Sequence, residues 1–199
     1  ITDNGGYLDV RGWQCKGIRS FFNGGGKHGL HLEGGYNLIN AVISGCSFVK
    51  GSHVDGYGIY VFDQLAHSSI EKSEFSNAYM KCFDANIIRK CLTFGKEVAI
   101  TFDCEGGVRN NTVADNTLVN RDGAVHIING DNIRIINNQI ELAQSYTPAT
   151  NQSPTSSMVY VQGVDRVVAN TIIEDNNFGG GTSLDHLIYL DNAKRTVVA

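Results

Sequence analysis

The sequence predicts an all-β solenoid of about eight stacked coils, and three regularities support this. A pair of apolar residues separated by one position, here called a couplet, returns about every 26 residues, which is a solenoid-like period. Alternation at spacing two indicates a strand rather than a helix. Gly is abundant at 23 of 199 residues and Pro is limited to 2, a composition suited to many tight bends between paired strands.

The couplets predict the inward-facing positions of one strand in each coil. They are Leu8/Val10, Leu30/Leu32, Ile59/Val61, Met80/Cys82, Ile100/Phe102, Val125/Ile127, Val159/Val161 and Ile188/Leu190. Because stacked parallel strands lie about 4.8 Å apart, equivalent residues of successive coils form columns. Such columns would fill a narrow interior, where each coil buries its apolar side against its neighbours.

A second register follows each couplet and ends on a bulky apolar anchor: Phe22, Phe48, Phe75, Phe94, Leu118, Ile140 and Phe178. The residues eight positions before these anchors are Gln14, Asn40, His67, Asn86, Asn110, Asn132 and Asn170. A shorter Asn series stands two positions before the last three anchors: Asn116, Asn138 and Asn176. We interpret the Asn residues as structural ladders, because amides stacked at a bend can hydrogen-bond along the stack.

Composition limits the partners of the chain. Charged residues make up 18% and the net charge is −4, so no basic stripe favours nucleic acid or an anionic membrane surface. No apolar run is long enough to insert across a bilayer. The five cysteines lack metal-binding spacing and are interpreted as packed free thiols. No calcium-loop signature is present, so neither a metal nor another cofactor is predicted.

Residues 1–199 are predicted to form one β-helical domain. Both ends stop within the repeat pattern, so we expect an internal fragment of a longer chain. The longest interval between couplets contains a polar segment from Leu142 to Ser157 that holds both prolines. This segment is predicted to be an extruded loop.

Coils such as Gly58–Val61 and Asn132–Ile140 resemble the right-handed parallel β-helix of the pectate-lyase-like superfamily. Within it, the unequal Asn- and Gly-rich coils are most similar to bacteriophage tailspikes and polysaccharide depolymerases. The resemblance implies a homotrimer that binds bacterial O-antigen or capsule and cleaves it by endo-glycosidic hydrolysis or by lyase chemistry. It also implies a place in the phage tail of the virion, after folding in the host cytoplasm; a secreted or bacterial cell-surface protein is the alternative. No catalytic motif transfers with the resemblance.

The residue inside each couplet should point outward, because side chains alternate across a strand. That column reads Asp9, His31, Tyr60, Lys81, Thr101, His126, Tyr160 and Tyr189. Rings with polar tips suit sugars, so we predict glycan contacts from His31, Tyr60, Lys81, His126, Tyr160 and Tyr189. The same pattern is also compatible with plain strand preference or with a subunit contact. Trp13 is a further candidate sugar platform, or a cap on the first coil.

Carboxylates on the same strands are candidate catalysts, because glycoside hydrolysis uses two carboxyl groups. Asp84, Asp103 and Glu105 are the first choice, one as general acid and another as base or nucleophile. The alternative for Asp103 and Glu105 is a role in shaping a turn. A rival site on the anchor strands, suited to β-elimination, would use Glu71, Lys72, Glu74, Arg89, Asp115 and Glu174. A non-catalytic glycan-binding or structural spike is the third possibility.

Overall fold

A computed structural model describes residues 14–23, 28–32, 38–49, 56–95, 98–103, 109–120, 122–142, 157–165, 167–179 and 186–199. Every regular element in these ranges is a β-strand. In chain order they are β1 (Gln14–Asn23), β2 (Leu30–Leu32), β3 (Leu38–Ile39), β4 (Val42–Val49), β5 (Ile59–Ala66), β6 (Ser69–Glu71), β7 (Glu74–Phe75), β8 (Ala78–Asp84), β9 (Ile87–Arg89), β10 (Leu92–Gly95), β11 (Ile100–Asp103), β12 (Thr112–Ala114), β13 (Thr117–Asn120), β14 (Val125–Ile128), β15 (Arg134–Ile136), β16 (Gln139–Leu142), β17 (Ser157–Gln162), β18 (Val168–Ala169), β19 (Ile172–Glu174), β20 (Asn177–Gly179), β21 (His186–Asp191), β22 (Ala193–Lys194) and β23 (Val197–Val198).

The strands stack in register into three faces around one core, and their ladders are parallel. Face 1 contains β2, β5, β8, β11, β14, β17 and β21, in that order. Face 2 runs from β4 through β6, β9, β12, β15 and β19 to β23, and face 3 runs from β4 through β7, β10, β13 and β16 to β20. The chain visits face 1, face 2 and face 3 once per coil. The predicted parallel β-helix is therefore confirmed.

The couplets form the inner side of face 1, with one correction. Ile59, Ile100, Val125 and Val159 are fully buried in the core. The coil of β8 was predicted to contribute Met80/Cys82, but its register partners are Ala78 and Met80: Ile100 lies opposite Ala78, and Phe102 lies opposite Met80. Ala78 is small enough to be overlooked as an interior residue, yet it is completely buried. Leu8 and Val10 lie outside the described residues.

The anchors form the inner side of face 3, again with one correction. Phe75 is opposite Thr93, and Thr93 is opposite Leu118, so Thr93 and not Phe94 is the interior residue of β10. Phe94 points outward and is 40% exposed. Thr93 is tolerated inside because its Oγ1 donates a hydrogen bond of 2.7 Å to Asn120 Oδ1.

The column predicted as the long Asn ladder is the bend between faces 1 and 2. Its residues have positive φ between 51° and 60°: Asn40, His67, Ala85, Asn110, Asn132 and Asn170. Asn tolerates this left-handed conformation better than most residues, which explains its recurrence. The amide of Asn132 also donates to Asn110 Oδ1 at 3.0 Å along the exposed surface. Asn86 was placed in this column wrongly; Ala85 occupies it.

Asn86 belongs instead to a buried ladder one residue farther along. Its Oδ1 accepts from Ser68 N at 2.6 Å, and its own N–H donates to Asn111 Oδ1 at 2.9 Å. The shorter Asn series is a second buried ladder, at the bend between faces 2 and 3. There Asn116 N donates to Asn138 Oδ1 and Asn138 N donates to Asn176 Oδ1, both at 3.0 Å. The structural interpretation of the Asn repeats is thus confirmed, with the columns reassigned.

The bends differ in how constant their lengths are. Between faces 2 and 3 the connection is two residues in every coil from β6 onward, for example Lys72–Ser73 and Asp115–Asn116. Between face 3 and face 1 the connection ranges from residues 76–77 to residues 143–156. Ser157, predicted as the end of the long loop, is the first residue of β17, and residues 143–156 lie outside the described part of the chain.

Two cysteines can be described in full. Cys46 and Cys91 are both buried. Burial raises the pKa of the Cys91 thiol to about 12, so it stays protonated and packs as a small apolar group. In the described ranges no helix has the length and apolar character needed to cross a bilayer.

Candidate functional site

The outward column of face 1 is more aromatic than the sequence indicated. Its successive members, in register, are His31, Tyr60, Tyr79, Thr101, His126, Tyr160 and Tyr189. Tyr79 takes the place predicted for Lys81, because the β8 couplet is Ala78/Met80. Lys81 is two residues farther along β8, and its side chain lies outside the described residues, as does Trp13. Apart from Thr101, each rung of the column presents a ring.

The first aromatic cluster contains His28, His31, Tyr57, Tyr60 and Tyr79. Tyr60 and Tyr79 stack nearly parallel, with ring centroids 5.4 Å apart and 11° between the planes. His28 stacks on Tyr60 at 4.5 Å and on Tyr57 at 5.7 Å, and His31 meets Tyr60 edge-on at 5.1 Å. All five side chains are half-buried. The five rings therefore form one continuous aromatic surface. It combines the outward column of face 1 with His28 and Tyr57, which lie beside it in the bends.

The second aromatic cluster contains His126, Tyr160 and Tyr189. The His126 and Tyr160 rings meet edge-on at 5.3 Å, and Tyr160 and Tyr189 lie 5.4 Å apart. Tyr160 is only 7% exposed, whereas His126 and Tyr189 are half-buried. Burial and the nearby charge of Asp191 raise the pKa of Tyr160. Tyr189 is thus the accessible ring of this cluster.

The two clusters are separated by Thr101, and Asp103 stands beside this gap. The Tyr79 hydroxyl donates a hydrogen bond to Asp103 Oδ2. Burial, then this hydrogen bond and the charge of Asp103, raise the pKa of Tyr79 well above its usual range. Tyr79 therefore keeps its proton at neutral pH and acts as a hydrogen-bond donor.

The imidazole of His126 lies in an environment that disfavours its protonated form. Burial lowers the pKa of its imidazole to about 4, against a smaller opposing effect of Asp122. Its Nε2 is buried and has no hydrogen-bond partner. The same nitrogen is 3.2 Å from where a Cβ would lie on Gly123, whose φ of +136° already favours glycine. His126 is consequently a neutral imidazole at physiological pH.

The three predicted catalytic carboxylates do not all fall together. Phe102 lies opposite Met80, so Asp84 is three positions farther along its strand than the residue opposite Asp103, a displacement of about 10 Å. That exceeds the separation of about 5–5.5 Å required of a retaining pair and is closer to the separation of about 6.5–9.5 Å in an inverting pair. Asp84 Oδ1 is buried and lacks a hydrogen-bond partner. Glu105 lies outside the described residues.

The rival site consists of residues from face 2, face 3 and the bend between them. Arg89 on β9 forms an ion pair with Glu71 on β6, with Nη2 2.8 Å from Oε2 and Nε also donating. Lys72 and Asp115 occupy equivalent positive-φ positions at the bend, and Glu174 is on β19. The Arg89 charge is thus already paired with Glu71. Among the described residues no group of three or more His, Cys, Asp or Glu side chains has the geometry of a metal site.

The sequence reasoning missed Tyr79, Tyr57 and His28. Tyr79 could have been found by accepting Ala78 as an interior residue, since the couplet then brackets a Tyr. Tyr57 and His28 lie three residues before Tyr60 and His31, respectively, in the bends that lead into face 1. Their common offset is a weak signal, because bends have no fixed side-chain period.

Comparison with solved structures identifies a parallel β-helix. The chain is similar to the A-module of the mannuronan C-5 epimerase AlgE4 from Azotobacter vinelandii, with a TM-score of 0.51 and 13% sequence identity over 84% of this chain. The match spans 60% of that module. No protein-family model matches the chain, and no curated protein matches it in sequence. This likeness shows the fold, a parallel β-helix.

Proposed function

We propose that this chain binds a bacterial surface polysaccharide, O-antigen or capsule, along face 1 and cleaves it by endo-glycosidic hydrolysis, as the tailspikes it resembles do. The observation that carries the proposal is the pair of aromatic clusters on one face, with a carboxylate beside the gap between them. A polymer that follows the helix axis would meet rings on both sides of Asp103.

Aromatic rings with polar tips match the surface of a sugar. Each pyranose has an apolar face for the ring and hydroxyl groups at its rim for the Tyr or His tip. Half-buried rings are also held in place by their neighbours, so little side-chain entropy is lost on binding. The structural neighbour, a mannuronan C-5 epimerase, acts on a polysaccharide, which supports a carbohydrate-active role for the shared fold.

The environment of Tyr79 favours hydrolysis over elimination at this position. β-Elimination needs a base to remove a ring proton, and a Tyr whose pKa is raised is poorly suited to that task. In hydrolysis, a carboxylate either removes a proton from the attacking water or attacks the anomeric carbon itself, while an acid protonates the departing oxygen. Asp103 is assigned the carboxylate role, and Glu105 or Asp84 the acid role.

The biological setting is proposed on the resemblance. A tailspike-like protein would be a homotrimer in the phage tail of the virion, assembled after folding in the host cytoplasm. The alternative is a secreted or bacterial cell-surface protein with the same glycan-binding face. Location of the full-length protein in purified phage particles, by mass spectrometry, would distinguish these settings.

The binding proposal is tested by replacing an accessible ring. Tyr60→Ala removes the ring that contacts four neighbours in the first cluster and should weaken polysaccharide binding by about 1 kcal/mol, or about fivefold. Phe94→Ala is the matched control, since Phe94 is an exposed ring on face 3. Titration against a panel of bacterial surface polysaccharides measures both. Equal affinities of Tyr60→Ala and the unmodified chain would contradict the proposal.

The chemistry is tested with the full-length protein and product mass analysis. Asp103→Asn should abolish oligosaccharide release and leave polymer binding intact. Products with a new reducing end and one added water indicate hydrolysis, whereas unsaturated products that absorb in the near ultraviolet indicate a lyase. Binding without any cleavage would identify a non-catalytic spike. Undiminished release by Asp103→Asn would remove Asp103 from the mechanism.

A further inference from the structure

We infer that Tyr79 is a positioning residue for the proposed hydrolysis: its hydroxyl holds the Asp103 carboxylate in the orientation and the charge state that the reaction requires. The inference rests on the proposed function and adds to it a residue that acts through Asp103. It follows from one hydrogen bond between neighbouring coils and from the packing that places the donor.

Tyr79 is held in place by the rings and strands around it. Its ring stacks on Tyr60 with 5.4 Å between the centroids, and the Tyr57 ring lies 5.3 Å away. Its backbone is placed by Ala78 and Met80, the residues on either side of it, which are completely buried in the core. Because the ring is already packed, little side-chain entropy is lost when its hydroxyl binds an acceptor.

The hydroxyl reaches Asp103 diagonally across two paired strands. Tyr79 on β8 lies opposite Thr101 on β11, and Asp103 is two residues farther along β11, on the same outward side. A long aromatic side chain can span such a diagonal. Since Thr101 has a small side chain where the other coils have a ring, the phenol can reach past it and donate to Asp103 Oδ2.

The hydrogen bond distinguishes the two oxygens of the Asp103 carboxylate. Oδ2 accepts from Tyr79, so the chemistry is assigned to Oδ1. A donor to the carboxylate stabilises its charged form, which is the form required of a base or a nucleophile. Burial, this hydrogen bond and the charge of Asp103 raise the pKa of Tyr79 well above its usual range, so the phenol remains a donor.

Asp103 Oδ1 has one of two roles in hydrolysis, and Tyr79 serves both in the same way. As base, Oδ1 accepts a proton from the water whose oxygen bonds to the anomeric carbon; as nucleophile, Oδ1 forms that bond itself and water later releases the sugar. In both cases the glycosidic oxygen leaves with a proton from the acid, and the Tyr79 proton is not transferred. Rotation of the carboxylate would move Oδ1 away from the anomeric carbon, and a misplacement of about 1 Å costs about a hundredfold in rate.

The test is Tyr79→Phe, which removes the hydroxyl and keeps the ring. Oligosaccharide release by the full-length protein is measured from pH 3 to pH 9, on a bacterial O-antigen or capsular polysaccharide that the unmodified protein cleaves. The kcat should fall about tenfold to hundredfold at a nearly unchanged KM, because the stack with Tyr60 remains. The acid side of the pH profile of kcat/KM should move to higher pH, since a carboxylate that loses a donor takes up a proton more readily.

Two further variants make the result specific. Thr117→Val removes one hydroxyl from an exposed strand position on face 3 and should leave kcat, KM and the pH profile as they are. Tyr79→Ala removes the ring as well as the hydroxyl, so it should raise KM in addition to lowering kcat. A merely structural role of Tyr79 would reduce the amount of active protein in Tyr79→Phe and would leave the pH profile in place.

The outcomes separate this inference from the proposed function. An unchanged kcat in Tyr79→Phe would overturn the inference and leave hydrolysis on face 1 standing. A lower kcat with an unmoved pH profile would also overturn it, because the hydroxyl would then support folding and not Asp103. If the unmodified protein binds the polysaccharides and releases no oligosaccharide, the proposed hydrolysis is wrong and the inference is wrong with it.

Discussion

Replacing Asn116 by Ala tests whether the buried amide ladder holds successive coils together. Asn116 Oδ1 accepts from Cys91 N at 2.9 Å, and Asn116 Nδ2 donates to Ile88 O and to Asn138 Oδ1, both at 3.0 Å. The side chain is 1% exposed, so water cannot replace these bonds without entering the core. Asn116 thus connects its own coil to the coils on either side.

The expected loss of stability follows from those bonds. Truncation leaves the buried Cys91 N–H without an acceptor, at a cost of about 1–3 kcal/mol, and removes the bond to Ile88 O, which contributes about 1 kcal/mol. The free energy of unfolding should therefore fall by about 2–4 kcal/mol. Asn110→Gly is the matched control, since Asn110 makes its amide contact to Asn132 at the exposed bend and Gly accepts its φ of 56°. That change should cost less than about 1 kcal/mol.

Urea unfolding followed by far-ultraviolet circular dichroism measures both variants. The midpoint for Asn116→Ala should move to clearly lower urea at an unchanged slope, while that of Asn110→Gly stays near the unmodified chain. A midpoint shift as small as that of the control would refute the reasoning. It would mean that the amide ladder is incidental and that apolar columns alone fix the stacking.

Three further predictions concern the bends and the aromatic column. Ala85→Asn should stabilise the fold by about 0.5–1 kcal/mol in the same urea assay, because Ala85 has a φ of 53° that Asn adopts more readily; a loss of stability would contradict this. Gly58→Ala should destabilise it by more than about 2 kcal/mol, since a Cβ would lie 2.7 Å from Phe48 O, whereas Gly179→Ala, with no such contact closer than 3.5 Å, should be nearly neutral. For His126 the unfolded chain binds a proton near its ordinary pKa of 6.5 and the folded chain only at about 4, so stability should fall by about 2–3 kcal/mol as the pH drops through this window. Thermal melts of His126→Gln across pH 4–7 should lack that component, and identical profiles would show that His126 does not cause it.

The sequence pattern predicted the fold because interior columns need apolar residues at a fixed spacing, and most rungs obey this. The prediction was wrong in the coils whose interior position holds an atypical residue. Ala78 fills its interior site with one methyl group, so the larger Met80 and Cys82 attracted the couplet. Thr93 is polar by type but satisfied by Asn120, so the neighbouring Phe94 was chosen. Both errors are one- or two-residue shifts that apolar counting cannot detect.

The candidate site was harder to predict than the fold for a physical reason. Face 1 was found from alternation, which correctly placed Tyr60, His126 and Tyr189 on the outside. Alternation carries no information on which residues of the bends pack beside the face, so His28 and Tyr57 were missed. The offset of Asp84 from Asp103 was misjudged because the couplet of β8 is Ala78/Met80 and not Met80/Cys82, which moves Asp84 two positions farther along β8 relative to Asp103.

The contrast between the constant bend and the variable one has an evolutionary consequence. Connections between faces 2 and 3 have two residues in each coil from β6 onward, the first with a positive φ. In three of these coils the second is an Asn of the amide ladder, so an insertion there would break the ladder. Connections from face 3 to face 1 differ in length from coil to coil, and they enter face 1 next to the aromatic column. Segments exchanged between related proteins at these joints would alter the rim of the proposed glycan-binding surface while the scaffold beneath stayed the same. Replacement of residues 143–156, in the longest of these connections, is accordingly the natural way to change the proposed glycan specificity.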